Sequence, residues 1–215
     1  MLPFTIATRA DSFRRPELSE DRIAVHHVHG GLVVVVADGA GGIAGGGAAA
    51  DLVLRVVAEA IAQPGFNPFS PAAWTELLIA ADGLVVRDRE AGETTCVVVA
   101  VRDDGRIVGA SVGDSGAVVV AVDGRIDELT EGQHRKHRLG GGRAAPVLFG
   151  RPDLDGVLVI ATDGLFNYAR PEVIAQVVAT HEDLDATGQA LVEVVRLPSG
   201  SFMDDVALVL VRSIR

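Results

Sequence analysis

Three times along this chain an uncharged, apolar run ends in an aspartate with glycine beside it. VVVVADG places Asp38, ASVGDSG places Asp114, and VIATDG places Asp163. FMDD, ahead of the last apolar run, adds Asp204 and Asp205, and SEDR, ahead of the first, adds Glu20 and Asp21. Runs of Val and Ile read as buried strands. A carboxylate at the end of such a strand is partly desolvated, which is unfavourable unless a cation or hydrogen bonds compensate. If neighbouring strands gather several of these ends, their mutual repulsion demands a divalent metal. Oxygen-only ligands select Mg²⁺ or Mn²⁺ over zinc. Asp104-Gly105 and Asp123-Gly124 carry the same dipeptide between hairpin arms with charged or polar neighbours, and there it reads as a turn.

Other candidates are weaker. Gly39-Ala40-Gly41-Gly42-Ile43-Ala44 matches the dinucleotide fingerprint G-x-G-x-x-A after a strand. Asp38 would repel a pyrophosphate there, and the expected acidic partner falls at Glu59 inside a helical pattern rather than at a strand end. His134–Arg138 (HRKHR), with Arg143 beyond it, is the one dense basic segment. It reads either as a phosphate contact bordering an acidic site or as a solvated loop. His26, His27 and His29 read as a hairpin end, because no cysteine or clear carboxylate partner is near them in sequence. Cys96 lies within an apolar run and reads as a small buried hydrophobe.

The elements that must position these residues follow from periodicity and punctuation. Ile23–Val28 and Leu32–Ala37 are strands joined across Gly30-Gly31. Leu52, Val53, Val56, Val57, Ala60 and Ile61 share one helical face, and Pro64 with Gly65 ends that helix. Ser70 is placed to cap a second helix opening at Pro71. Cys96 onward reads as an antiparallel meander of three strands turning at Asp104-Gly105 and Asp123-Gly124. Gly140-Gly141-Gly142 is a loop and Val157–Thr162 a strand. Pro171–Thr180 and Leu184–Val195 are helices, and Val206–Val211 is the last strand. Paired helices with antiparallel strands between them predict an α+β sandwich rather than alternating βαβ units.

The 215 residues carry 48% hydrophobic and 22% charged side chains with a net charge of −10. That is a globular composition, and one domain spanning 1–215 is expected, with no linker to divide it. The acidic balance argues against nucleic acid as a partner. No apolar stretch is long enough to span a bilayer, and the N-terminus lacks a secretory pattern, so membrane binding is not expected. A single cysteine fits a reducing, cytoplasmic compartment.

Taken in order, the motifs resemble those of the metal-dependent serine/threonine phosphatases of the protein phosphatase 2C type. SEDR resembles that family's acidic pair and ADGAGG its D-G-x-G-G. GETT (Gly92–Thr95) is similar to G-[ST]-T, VGDSG to V-G-D-S-R, TDGLF to S-D-G-L-[WF], and DDVALVLV to D-N-[IV]-T followed by hydrophobics. The resemblance spans nearly the whole chain. It implies an αββα sandwich of two antiparallel sheets flanked by pairs of helices, with a short flap between Asp114 and Asp163. It implies two ions of Mg²⁺ or Mn²⁺ bridged by Asp38. Glu20 and the Gly39 carbonyl would complete one and Asp163 and Asp204 the other, with a possible third on Asp114 and Asp163. Asp21 would orient the attacking water, which bridges the metals and strikes phosphorus directly.

The implied activity is hydrolysis of phosphoserine and phosphothreonine in a phosphorylated protein made by a Ser/Thr kinase. The alternative is a catalytically silent relative that binds metal and a phosphorylated partner. Departures from the pattern motivate that alternative. Ala40 stands where animal members carry a general-acid histidine, and Pro16 stands at the phosphate-binding arginine's position. Among nearby Arg14, Arg15 and Arg22, the role is assigned to Arg15. Gly116 replaces the arginine of G-D-S-R, and Asp205 and Ala207 replace Asn and Thr of the last motif.

Overall fold

The computed structural model describes residues 4–13, 18–40, 45–133 and 136–214. In chain order the first half comprises β1 (Phe4–Asp11), β2 (Arg22–Val28), β3 (Gly31–Ala37), α1 (Gly46–Ile61), α2 (Pro71–Arg87), β4 (Cys96–Arg102) and β5 (Ile107–Val112). The second half comprises β6 (Gly116–Ala121), β7 (Ile126–Glu128), β8 (Val147–Arg151), β9 (Gly156–Ala161), α3 (Asp163–Phe166), α4 (Pro171–Thr180), α5 (Leu184–Val195) and β10 (Val206–Ser213). The strands form two antiparallel five-stranded sheets, ordered β1-β10-β9-β6-β7 and β2-β3-β4-β5-β8.

Because side chains alternate across a strand, a strand with both faces covered must be apolar throughout. β3 is such a strand: Leu32 to Ala37 are all buried. Val34 and Val36 point with Val97 and Val99 toward Val119, Ile160 and Val209 of the other sheet. Val33 and Val35 point the other way, onto Val53 and Val57 of α1 and Trp74 and Leu78 of α2. On the far side, Val159 and Leu208 meet Ile174 of α4 and Leu191 of α5. The result is the expected four-layer αββα sandwich. Burying each Val or Leu stabilises it by roughly 1.5–3 kcal/mol.

Two expectations are corrected. The meander from Cys96 is divided: β4 pairs with β5 and β6 with β7, but β5 and β6 lie in different sheets. The chain crosses between sheets at Gly113-Asp114-Ser115, where Gly113 has φ 101° and a Cβ would stand 2.6 Å from Thr95 Cγ2. Apolar periodicity is the same for either pairing, since partner choice is non-local. Ser70 does occupy the N-cap of α2, yet its side chain makes no capping bond. Asp183 caps α5 instead, accepting from Ala186 N at 2.9 Å. Among the described residues no helix is long and apolar enough to cross a membrane.

Candidate metal centre

The same end of both sheets gathers the strand-end carboxylates. β3 delivers Asp38, the β5–β6 crossing delivers Asp114, β9 runs into Asp163 at the first residue of α3, and Asp204 precedes β10. Glu20 and Asp21 come from the segment entering β2, whose Arg22 is paired with Ala37 beside Asp38.

Asp38 is fixed through its backbone. Its N–H donates to Thr95 Oγ1 (2.9 Å), and its carbonyl accepts from Thr95 N (2.8 Å) and Thr94 Oγ1 (2.9 Å). Thr95 Oγ1 also lies 2.6 Å from Ser115 Oγ. The two threonines of GETT therefore lock the end of β3 to the crossing that carries Asp114. Gly39 packs so tightly under α1 that a Cβ would lie 2.4 Å from the Gly46 carbonyl carbon.

Asp21 is buried and accepts from Thr162 Oγ1 at 2.8 Å. Glu20 Oε1 accepts from Gly47 N at 3.1 Å, in the first turn of α1, where the helix dipole favours a carboxylate. Asp163 accepts from Asn167 Nδ2 at 2.8 Å, and Asp204 accepts from the N–H of Asp205 at 2.9 Å. Asp205 is a positioning residue. Its Oδ1 takes Ser12 Oγ (2.9 Å) and Phe13 N (2.8 Å), and its Oδ2 takes Glu20 N (3.1 Å), so it ties the start of β10 to the acidic pair.

The electrostatics of this end are unfavourable as it stands. Burial pushes the Asp38 carboxyl up to about 10, reinforced by the negative charges of Asp21, Asp163, Asp204 and Asp114. Burial raises Asp21 to about 7, against the Thr162 hydrogen bond, with Asp205, Asp204 and Asp163 adding to the rise. Asp163 is raised by burial and then by Asp114 and Asp204. Asp204 is raised by desolvation and then by Asp205 and Asp114, against the hydrogen bond from the Asp205 N–H. Repulsion of this kind is relieved by protons or by metal cations.

One carboxylate oxygen each from Asp38, Asp114 and Asp163 lies within 4.8 Å of the others. Asp114 Oδ1 is buried with no hydrogen-bond partner among the described residues. A converging, oxygen-only donor set with an orphaned buried oxygen fits a hard divalent cation. Glu20 and Asp204 stand at the same end of the sheets but outside that closest trio.

Other residues marked in the sequence fall differently. Arg22 is committed to structure, with Nε 2.7 Å from Asp51 Oδ1 and Nη1 on the carbonyls of Ser19 and Asp21. Arg15 lies outside the described residues, as do residues 41–44 of the glycine fingerprint and His134 and Arg135 of the basic segment. The rest of that segment brings Arg138 Nη2 to 4.0 Å from Asp114 Oδ2.

Sequence reasoning missed Asp82. It is buried in α2 and accepts from Gly140 N (2.7 Å), Gly142 N (3.1 Å) and Ala144 N (3.0 Å), holding the loop that follows Arg138. A lone aspartate within the otherwise apolar LLIAADGLVV was the available signal.

Compared with known proteins, the sequence matches the family model of protein phosphatase 2C over residues 11–138, more than half of the chain. No curated protein matches the sequence. Solved structures with the same fold include a Streptococcus agalactiae serine/threonine phosphatase. It is 22% identical with TM-score 0.82, over 98% of this chain and 99% of that one. Stp1 of Staphylococcus aureus is 20% identical with TM-score 0.81, over 100% and 96% of the two chains. The catalytic domain of the serine/threonine protein phosphatase PstP, in complex with two manganese ions, is 20% identical with TM-score 0.79 over 99% of each chain.

Proposed function

The chain belongs to the protein phosphatase 2C family, and on that premise we propose that it is a metal-dependent phosphoprotein phosphatase acting on phosphoserine and phosphothreonine. The observation that carries this reading is the convergence of Asp38, Asp114 and Asp163 within 4.8 Å at a buried, mutually repelling strand end. PstP with its two manganese ions supports the same reading by fold. In our reading Asp38 and Glu20 with the Gly39 carbonyl would hold one ion of Mg²⁺ or Mn²⁺, Asp38 with Asp163 and Asp204 would hold a second, and Asp114 with Asp163 would hold a third. When bound, such ions supply Lewis acidity, polarising phosphoryl oxygens and lowering the pKa of an attacking water toward neutrality.

The chain's own residues divide the remaining work. Asp21 is held at Oδ2 by Thr162, which leaves Oδ1 to orient the attacking water and take up its proton. Arg15 and Arg138 offset the charge of the incoming phosphate. Water rather than Cys96 is the nucleophile, because Cys96 is fully buried and its thiol is pushed up to about 12. Ala40 has no proton to give, so solvent protonates the departing seryl or threonyl oxygen. The interior shared by both sheets supports treating 1–215 as one domain, and the lone, buried Cys96 supports a cytoplasmic setting.

Hydrolysis of p-nitrophenyl phosphate and of a phosphoserine peptide, with Mn²⁺, Mg²⁺ or EDTA, tests this reading. Asp163→Asn protein serves as the contamination control. Turnover that needs metal and disappears in the variant is expected. Metal-dependent phosphopeptide binding without phosphate release would instead establish the silent relative.

A further inference from the structure

A cavity of about 360 Å³ adjoins the acidic end and is used by none of the steps above. Its lining includes Asp114, Gly116, Glu128, Gln133, Phe166 and Ile174. The volume falls in the range of small-ligand pockets, roughly 300–1,000 Å³. Two features define what fits. The walls from Phe166 and Ile174 are apolar, whereas the charged lining residues among those described, Asp114 and Glu128, are both acidic. Gln133 Oε1, a hydrogen-bond acceptor, is buried without a donor among the described residues. An apolar stem ending in a donor-rich cation satisfies both features at once.

We propose that this cavity receives a basic side chain, arginine or lysine, from the phosphoprotein substrate, close in sequence to the phosphorylated residue. The inference rests on the phosphatase reading and extends it to substrate choice. Asp114 belongs both to the acidic trio and to the cavity wall, so phosphate and cation sit within a few residues of each other on one bound peptide.

The stem lies along Ile174, the guanidinium or ammonium meets the face of Phe166 and the carboxylate of Glu128, and Gln133 Oε1 accepts one of its N–H bonds. Gly116 explains why the cation must come from outside. It occupies the position where the resembled V-G-D-S-R motif has arginine, and a Cβ there would stand 3.1 Å from both Phe166 Cε2 and Thr130 Oγ1. Among the described residues no basic side chain lines the cavity itself; Arg138 pairs with the wall residue Asp114 at 4.0 Å, which leaves Glu128 as the carboxylate for the incoming cation.

The test uses the metal-loaded full chain and phosphoserine peptides carrying Arg, Leu or Ala at each flanking position in turn, with p-nitrophenyl phosphate beside them. At the favoured position the Arg peptide should exceed its Ala counterpart in kcat/KM by roughly 5- to 10-fold, mainly through KM and less at high salt. That ratio should fall to near unity in Glu128→Lys and in Gly116→Arg. It should persist in Glu76→Lys, which changes the net charge equally at an exposed position of α2. A ratio near unity in the unmodified protein while p-nitrophenyl phosphate is hydrolysed would overturn the inference and leave the phosphatase reading intact. Preference for Leu, or equal collapse in Glu76→Lys, would overturn it as well. Absence of p-nitrophenyl phosphate turnover removes the phosphatase reading, and this inference with it.

Discussion

Asp38-Gly39 and Asp163-Gly164 stand at one end of the sheets, and Asp104-Gly105 and Asp123-Gly124 stand at the other. The dipeptide is the same, but its construction is not. At the turn end the glycines adopt positive φ, 94° at Gly105 and 83° at Gly124. Each aspartate there accepts a backbone N–H two residues on, at 3.0 Å from Arg106 and from Arg125. The Asp123 carboxyl is held below its usual range, chiefly by that bond. At the acidic end neither glycine has positive φ. Glycine is required there because a Cβ would strike backbone, at 2.4 Å from Gly46 C and 1.9 Å from Asp205 O. Burial pushes the carboxyls of Asp38 and Asp163 up rather than down. One end uses aspartate to complete a turn; the other leaves it buried among like charges, at a cost in free energy.

The sharpest way to break this contrast is by activity. Asp38→Asn or Asp163→Asn should lower phosphatase kcat/KM by roughly 100-fold or more, whereas Asp104→Asn or Asp123→Asn should stay within about twofold. Equal losses at both ends in a p-nitrophenyl phosphate assay would dissolve the contrast.

Stability sharpens it next. Gly39→Ala and Gly164→Ala force a methyl group into backbone and should cost about 3 kcal/mol or more. Gly124→Ala meets no atom within 4 Å, so it should cost only the ~1–2 kcal/mol of a strained φ. Urea unfolding midpoints report both.

A smaller effect concerns pH. Asp21 has a folded-state value of about 7, above the ordinary 3.8. A raised carboxyl favours folding while protonated, and that advantage is lost as pH rises from about 4 through 7. EDTA-treated protein should therefore melt lower at pH 7 than at pH 5, by on the order of 5 °C. Mn²⁺ should stabilise it more at the higher pH, and Asp21→Asn should make the metal-free profile shallower without removing its slope, because burial also raises Asp38, Asp163 and Asp204. A metal-free melting temperature that rises across this window would contradict the account.

What was legible in the sequence follows the same division. Strands buried on both faces, such as Leu32–Ala37 and Val157–Ala161, announce themselves as uninterrupted apolar runs, and the carboxylates that end them stand out by contrast. The edge strands β1 and β8 do not. β1 reads FTIATRAD, of which only Phe4 and Ala7 are buried, and pairs only with β10, while β8 pairs only with β5. Half-covered strands keep polar residues and blend with loops. The single turn of α3 is too short for periodicity to reveal. The crossing at Asp114 was hidden for another reason, since the apolar runs on either side are identical for one sheet or two. Among site residues, Asp38, Asp114 and Asp163 could be located because each breaks a hydrophobic run. The positions of Asp82 and Asp205 could be read, but not their tasks, because backbone N–H groups far along the chain define them.

The most direct test is calorimetric titration of metal-free protein with Mn²⁺, comparing the unmodified chain with Asp38→Asn and Asp104→Asn. The account expects two ions per chain, with a weaker third, in the unmodified protein and in Asp104→Asn, and loss of the tight ions in Asp38→Asn. Unchanged stoichiometry and affinity in Asp38→Asn would contradict the claim that the buried strand ends build the metal centre.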